Sequence, residues 1–211
     1  MVLGSDKAEV RNHAVGETFK SSVYPVEIRG ETYNIYDTVS LEKHDLGAVD
    51  SAKVVGNLYR LVTNLSKFGG IHLLVFVIKL GRPTDTMQKN YALFHSGFCD
   101  SRVPIVIVLT GCKNVELHVD ACWVDSEPSF TSAGMSFVGH ACVFAAKAKN
   151  RNEDLVQGSV VAVKNLIVQH CETSGWTKVC HLRPHSRKHY DSLKHFHSSP
   201  RLFGFEMLSD L

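Results

Sequence analysis

The chain has no long hydrophobic run. Its apolar stretches stop well short of the roughly 18–20 consecutive residues that a membrane-spanning helix requires, so no span is expected. It also lacks an excess of either charge: 23 Lys and Arg against 21 Asp and Glu leave a formal +2, without the basic surplus expected of a nucleic-acid binder. The opening stretch "MVLGSDKAEVRNH" has no apolar core of the kind a signal peptide carries, and a cytoplasmic address is the expectation. The six cysteines are few and widely scattered, which excludes the dense disulfide framework of a small secreted domain. Several stand inside apolar runs such as "GHACVF" and read as reduced thiols.

What is present suffices for one sizeable core, since 44% of the 211 residues are hydrophobic. From Ser22 to Asp37, "SVYPVEIRGETYNIYD" alternates apolar and polar residues on either side of Arg29-Gly30-Glu31, which predicts an antiparallel hairpin. Val54, Leu58, Leu61, Val62 and Leu65 recur at helical spacing ahead of Gly69-Gly70, a stop signal. "IHLLVFVIKL" and "VPIVIVLT" are nearly continuous apolar runs rich in β-branched residues, as strands of a parallel sheet covered on both faces should be. Between them "TDTMQKNYALFHSGF" reads as a helix, and after a long insertion "HACVFAA" reads as a weaker strand. The segment "EDLVQGSVVAVKNLIVQH" carries valines that favour a strand, but its length and the spacing of Leu155, Val156, Val160, Val163 and Leu166 favour a helix, which is the expectation adopted. The alternation predicts an α/β fold with a mainly parallel sheet and an antiparallel hairpin at its edge. In such sheets ligands bind beyond the carboxyl ends of the strands, where Asp37-Thr38 and "LTGCKN" fall.

An Asp at a strand end can hold Mg²⁺ through oxygen, directly or through water, because this hard cation prefers oxygen ligands. The alternative for Asp37 is a capping role in the turn, where Asp is common. Thr110 and Gly111 end the most apolar strand, a place from which backbone and side chain could reach a base.

The ordered series Ala14-Val15-Gly16-Glu17-Thr18-Phe19, the hairpin, "YDTVSL", "NLYRLVTNLSKFGGIHLLVFVIK", "VPIVIVLTGCKN" and "LIVQHCETSGW" resembles the GTPase domain of fungal G domain-containing proteins, P-loop GTPases akin to the septin-like and immunity-associated nucleotide-binding group. The resemblance runs from about Ser5 to Trp176 and implies a three-layer P-loop NTPase-like fold binding GTP and Mg²⁺. It implies that Thr18 matches the threonine that reaches Mg²⁺ and the γ-phosphate, and that Asp37 matches the aspartate of the D-x-x-G motif. Thr110-Gly111-Cys112-Lys113 matches the base-recognition motif, and Ala145-Ala146-Lys147 the loop behind the base.

The departures from that pattern fall on the phosphates and the base. No Gly-Lys pair occurs anywhere, so the Walker A cradle G-x-x-x-x-G-K-[ST] is missing, and Phe19 before Lys20-Ser21 makes that pair a decoy. Ser40 stands where D-x-x-G has glycine, and Lys113 replaces the carboxylate that would pair with guanine although it offers only donors. The expected organisation is an incomplete G domain over residues 1–170, its N-terminal strand and P-loop absent, followed by a partly disordered Cys/His-rich basic tail over 171–211. The absent strand would run between the one ending at Asp37 and "IHLLVFVIKL". These two should then pair directly, or another segment such as "RLFGFEML" should fill the slot, or the isolated chain should be marginal and aggregate. The functional expectation is a guanine-nucleotide-binding, GTPase-like domain, degenerate or truncated and weak or inactive in hydrolysis, with an unidentified protein partner. The alternatives are a non-catalytic scaffold on the same fold, or metal or nucleic-acid binding through Cys171, Cys180, His181, His185, His189, His195 and His197, whose spacing fits no standard zinc finger.

Overall fold

A computed structural model of the protein describes residues 11–14, 20–37, 48–112, 120–144, 153–177 and 201–203. Strands β1 (Arg11–Ala14), β2 (Lys20–Ile28) and β3 (Glu31–Asp37) form an antiparallel meander. The two residues between β2 and β3, Arg29 and Gly30, both take positive φ (53° and 81°), the geometry of a tight hairpin turn that matches strand twist. Helix α1 (Ala48–Lys67) follows and stops at Gly69 and Gly70, whose φ values of 111° and 87° suit glycine alone.

Strand β4 (Leu74–Lys79) leads to α2 (Asp85–Tyr91), which begins where the Thr84 hydroxyl accepts the Met87 amide at 3.2 Å. This helix widens without a break into a π-helical segment over Ala92–Phe98. Strand β5 (Ile105–Thr110), helix α3 (Ala121–Ser132), strand β6 (Gly139–Cys142) and helix α4 (Glu153–His170) complete the α/β alternation. The ambiguous valine-rich segment is thus the helix α4. The long insertion expected before β6 contains α3, a helix whose sequence has Pro128 in its interior and no apolar stripe to announce it.

Strands β4, β5 and β6 form one parallel ladder with β5 in the middle. Alternate side chains of this ladder enter two cores. Leu74, Phe76, Ile78, Ile105, Ile107 and Leu109 meet α1, the α2–π helix and α3 on one face. Val77, Val106, Val108 and Ala141, with Leu73 just ahead of β4, meet Val163, Leu166 and Ile167 of α4 on the other. The hairpin follows the same division, with Tyr33 and Ile35 on the α4 side and Tyr36 on the opposite side. The result is three layers, helices on both faces of the strands.

Among the described residues β3 and β4 share no ladder. The direct pairing expected as one solution is therefore not adopted. The free edge of β3 is instead taken by β7 (Arg201–Phe203), parallel, with Tyr33 opposite Arg201 and Ile35 opposite Phe203. This is the C-terminal "RLF", and it pairs with β3 without bridging to β4. A second C-terminal tie is the exchange of backbone hydrogen bonds between Ile71 and Trp176, at 2.9 and 2.8 Å. The rest of the tail, including Cys180 and its histidines, lies outside the described residues.

Candidate functional site at the carboxyl edge of the strands

The direction of β3 follows from contacts with α4. The Phe144 amide donates to the Ser159 hydroxyl at 2.9 Å, so the start of α4 lies at the end of β6. Gly139, at the start of β6, abuts Leu166 and His170 near the helix's end. The hairpin turn is at that same starting end, because the Arg29 guanidinium donates to the Asn165 amide oxygen at 2.9 Å. β3 leaves this turn and runs as β6 does. Asp37, at the end of β3, therefore emerges on the same edge as Lys79, Thr110 and Cys142.

Asp37 is half-buried there, and desolvation raises its carboxyl pKa above the ordinary value. A carboxylate held partly out of water at a strand end is suited to a cation such as Mg²⁺, which would offset that penalty. Thr110 is engaged within the sheet, where its hydroxyl donates to the Ile78 carbonyl at 3.1 Å and ties β5 to β4. Gly111 follows with φ 78°, turning the chain off the strand. It lines a cleft of about 630 Å³ together with Leu80, Gly81, Arg82, Cys122 and Asp125. Thus Asp37, Thr110 and Gly111 share one edge, and Gly111 alone of the three lines the cleft. Thr18, Ser40 and Lys113, like Ala145-Ala146-Lys147, lie outside the described residues.

The same edge gathers a cluster that sequence reasoning missed. The sulfur atoms of Cys112, Cys122 and Cys142 all lie within 4.8 Å of one another. Cys142 ends β6 directly opposite Leu109 of β5, and Cys112 follows three residues after Leu109, its thiol donating to the Leu109 carbonyl at 3.6 Å. Cys122 arrives on the first turn of α3. The indole of Trp123 stacks on the His140 imidazole at 5.1 Å, and His140 Nε2 lies 3.3 Å from an Asp120 carboxylate oxygen, so the start of α3 is fixed against β6. Cys112 and Cys142 are buried, whereas Cys122 is partly exposed at the cleft.

Two of these thiols have pKa values displaced upward. Hydrogen bonding with Cys142, followed by burial, pushes Cys112 far above the ordinary thiol range. Burial, with a smaller contribution from Cys112, raises Cys122 to about 11. At neutral pH these two are protonated thiols and poor nucleophiles in the metal-free protein. In the sequence Cys112 stands inside "LTGCKN" and Cys142 inside the apolar run "GHACVF", but nothing there shows that these thiols meet. Comparison with protein-family models and with curated proteins finds no match for this chain.

Proposed function

We propose that this protein is a degenerate GTPase-like domain that binds guanine nucleotide weakly and hydrolyses it negligibly. The observation that supports this reading is the common edge of Asp37 and Thr110-Gly111, the described parts of the two motifs that resemble D-x-x-G and the base-recognition sequence. A second support is that, among the described residues, β3 and β4 share no ladder, at the position where GTPases of this type carry the strand that leads into the phosphate loop. In this reading Asp37 holds or orients Mg²⁺ through its carboxylate, Thr18 joins it, and Gly111 bounds the cleft beside the base motif. Mg²⁺, when bound, supplies charge neutralisation at the phosphates. Without a Gly-Lys pair the chain lacks the Walker A amides and lysine that provide most phosphate affinity and transition-state stabilisation. Lys113 offers donors where guanine presents its own, so discrimination between GTP and ATP should be poor.

Titration of the full chain with a fluorescent guanine nucleotide, with and without Mg²⁺, tests the proposal. The expected outcome is weak binding that Mg²⁺ strengthens and Asp37→Ala weakens, with a preference for GTP over ATP of less than about tenfold, or 1.4 kcal/mol. Complete absence of nucleotide binding would leave a scaffold on this fold and refute the reading. Magnesium-dependent turnover abolished by Asp37→Ala would refute the assignment as degenerate and show an active GTPase.

A further inference from the structure

Three thiols drawn from three different elements converge at one point of the carboxyl edge. Small apolar packing explains a buried cysteine in isolation, since a thiol behaves in a core as a modest hydrophobe. It does not explain why Cys122, on the partly exposed first turn of α3, has its sulfur among those of buried Cys112 and Cys142. A disulfide would engage two of the three and require an oxidant. A soft cation can engage all three.

We propose that Cys112, Cys122 and Cys142 form a three-thiolate site for Zn²⁺, with its fourth position open to the cleft beside Asp125. Zn–S bonds of about 2.3 Å in a tetrahedral shell place the sulfurs about 3.8 Å apart. The 4.8 Å upper bound on the sulfur separations is within about 1 Å of that spacing. Binding replaces three thiol protons, which pass to solvent, and leaves a Zn(S-Cys)₃ unit of net charge −1 before the fourth ligand is counted. No oxidation or reduction occurs. The partly exposed Cys122 gives the ion an entry path from the cleft. One helical turn later, Asp125 lines the same cleft and is close enough to influence the Cys122 thiol electrostatically. Its carboxylate or a water completes the shell. Because Cys112 and Cys122 flank residues 113–119, the metal would join the two ends of the connection between β5 and α3 and tie both to β6. The site does not depend on nucleotide binding.

The test uses the reduced, metal-stripped full chain titrated with Co²⁺ as a spectroscopic substitute and with Zn²⁺ in competition. One Co²⁺ per chain should give a thiolate-to-cobalt charge-transfer band of three-thiolate intensity together with strong tetrahedral visible bands, and Zn²⁺ should displace it. Cys122→Ser should weaken affinity by more than the roughly 10–100-fold typical of losing an outer-shell partner, while Cys171→Ser should leave the band unchanged. Absence of the band overturns the proposal. So does a band that survives Cys122→Ser but is lost in Cys171→Ser or Cys180→Ser, which would put the metal on the tail. Should Cys122→Ser fail to fold, wild-type alkylation replaces it: Zn²⁺ should protect Cys122 from iodoacetamide, and equal labelling with and without Zn²⁺ would refute the site.

Discussion

In β5 every side chain from Ile105 to Leu109 is buried, whereas in β3 Tyr33 alone of seven residues reaches that state. The two strands are flanked differently. β5 lies between β4 and β6 and is covered by α1, the α2–π helix and α3 on one face and by α4 on the other. β3 lies between an antiparallel partner and the three-residue β7, and reaches the main cores through Tyr33 and Ile35 on one side and Tyr36 on the other. Burial of a large apolar side chain contributes about 1.5–3 kcal/mol, so stability is concentrated in the parallel half. The hairpin half supplies Asp37 to the carboxyl edge while contributing less to the core.

Truncations on either side measure that asymmetry. Phe76, fully buried in β4 and stacked on Phe137 at 5.9 Å, should cost about 3–5 kcal/mol when replaced by alanine. Ile35→Ala, at a partly buried position of β3, should cost about 1–2 kcal/mol. Urea unfolding of the two variants decides the matter. Equal losses would show that the halves share the load and that the comparison is wrong.

Two glycines sharpen the contrast at the backbone. Gly70 has φ 87°, and a Cβ there would lie 2.5 Å from the Gly175 carbonyl carbon. Gly70→Ala therefore combines left-handed strain of about 1–2 kcal/mol with displacement of the 174–176 segment, for a total of about 2–4 kcal/mol. Gly30, in the hairpin turn, has φ 81° but no atom within 4 Å of where a Cβ would stand, so Gly30→Ala should cost only the strain. Trp176 and Trp123 are the only tryptophans. Loss of the Ile71–Trp176 pairing in Gly70→Ala should shift the emission to the red, and an unshifted spectrum would mean that this tie persists.

The parallel half was also the more legible in the sequence. The unbroken β-branched runs of β4 and β5 declared themselves, and α4 was identified because Val160, Val163 and Leu166 share one helical face, all three of them buried. Arg29-Gly30 announced the hairpin through its turn chemistry. Helix α3 was missed because it buries only Trp123 and Phe130, too few for a periodic signal, and has Pro128 in its interior. β7 was legible only as one candidate filler for a vacant strand edge, since three residues carry no period of their own. The cysteine cluster was invisible for another reason: positions 112, 122 and 142 fit no metal-ligand spacing, and only the parallel register of β5 on β6 and the docking of α3 bring them together. Local periodicity can be read along a chain, but convergence of distant residues depends on tertiary register.

The smallest expected effect concerns Asp37, the hairpin half's contribution to the candidate site. Its folded-state pKa is raised by burial above the ordinary value, so the folded chain binds this proton more tightly than the unfolded chain does. By linkage, stability must fall as pH rises from the unfolded pKa through the raised folded pKa, and the penalty then stays constant at higher pH. Asp37→Asn removes the ionised carboxylate and with it that penalty. Without Mg²⁺ the variant should be slightly more stable than the wild type at neutral pH. The two should converge as acid protonates Asp37 in both states. Mg²⁺ should narrow the neutral-pH difference by stabilising the wild type alone, if its carboxylate serves the cation as proposed. Urea midpoints across an acid-to-neutral series, with and without Mg²⁺, give both readings. A variant less stable than the wild type at neutral pH in the absence of Mg²⁺ would mean that the carboxylate is held by favourable interactions stronger than its desolvation cost, and the hairpin half would then contribute more than its partly buried strands indicate.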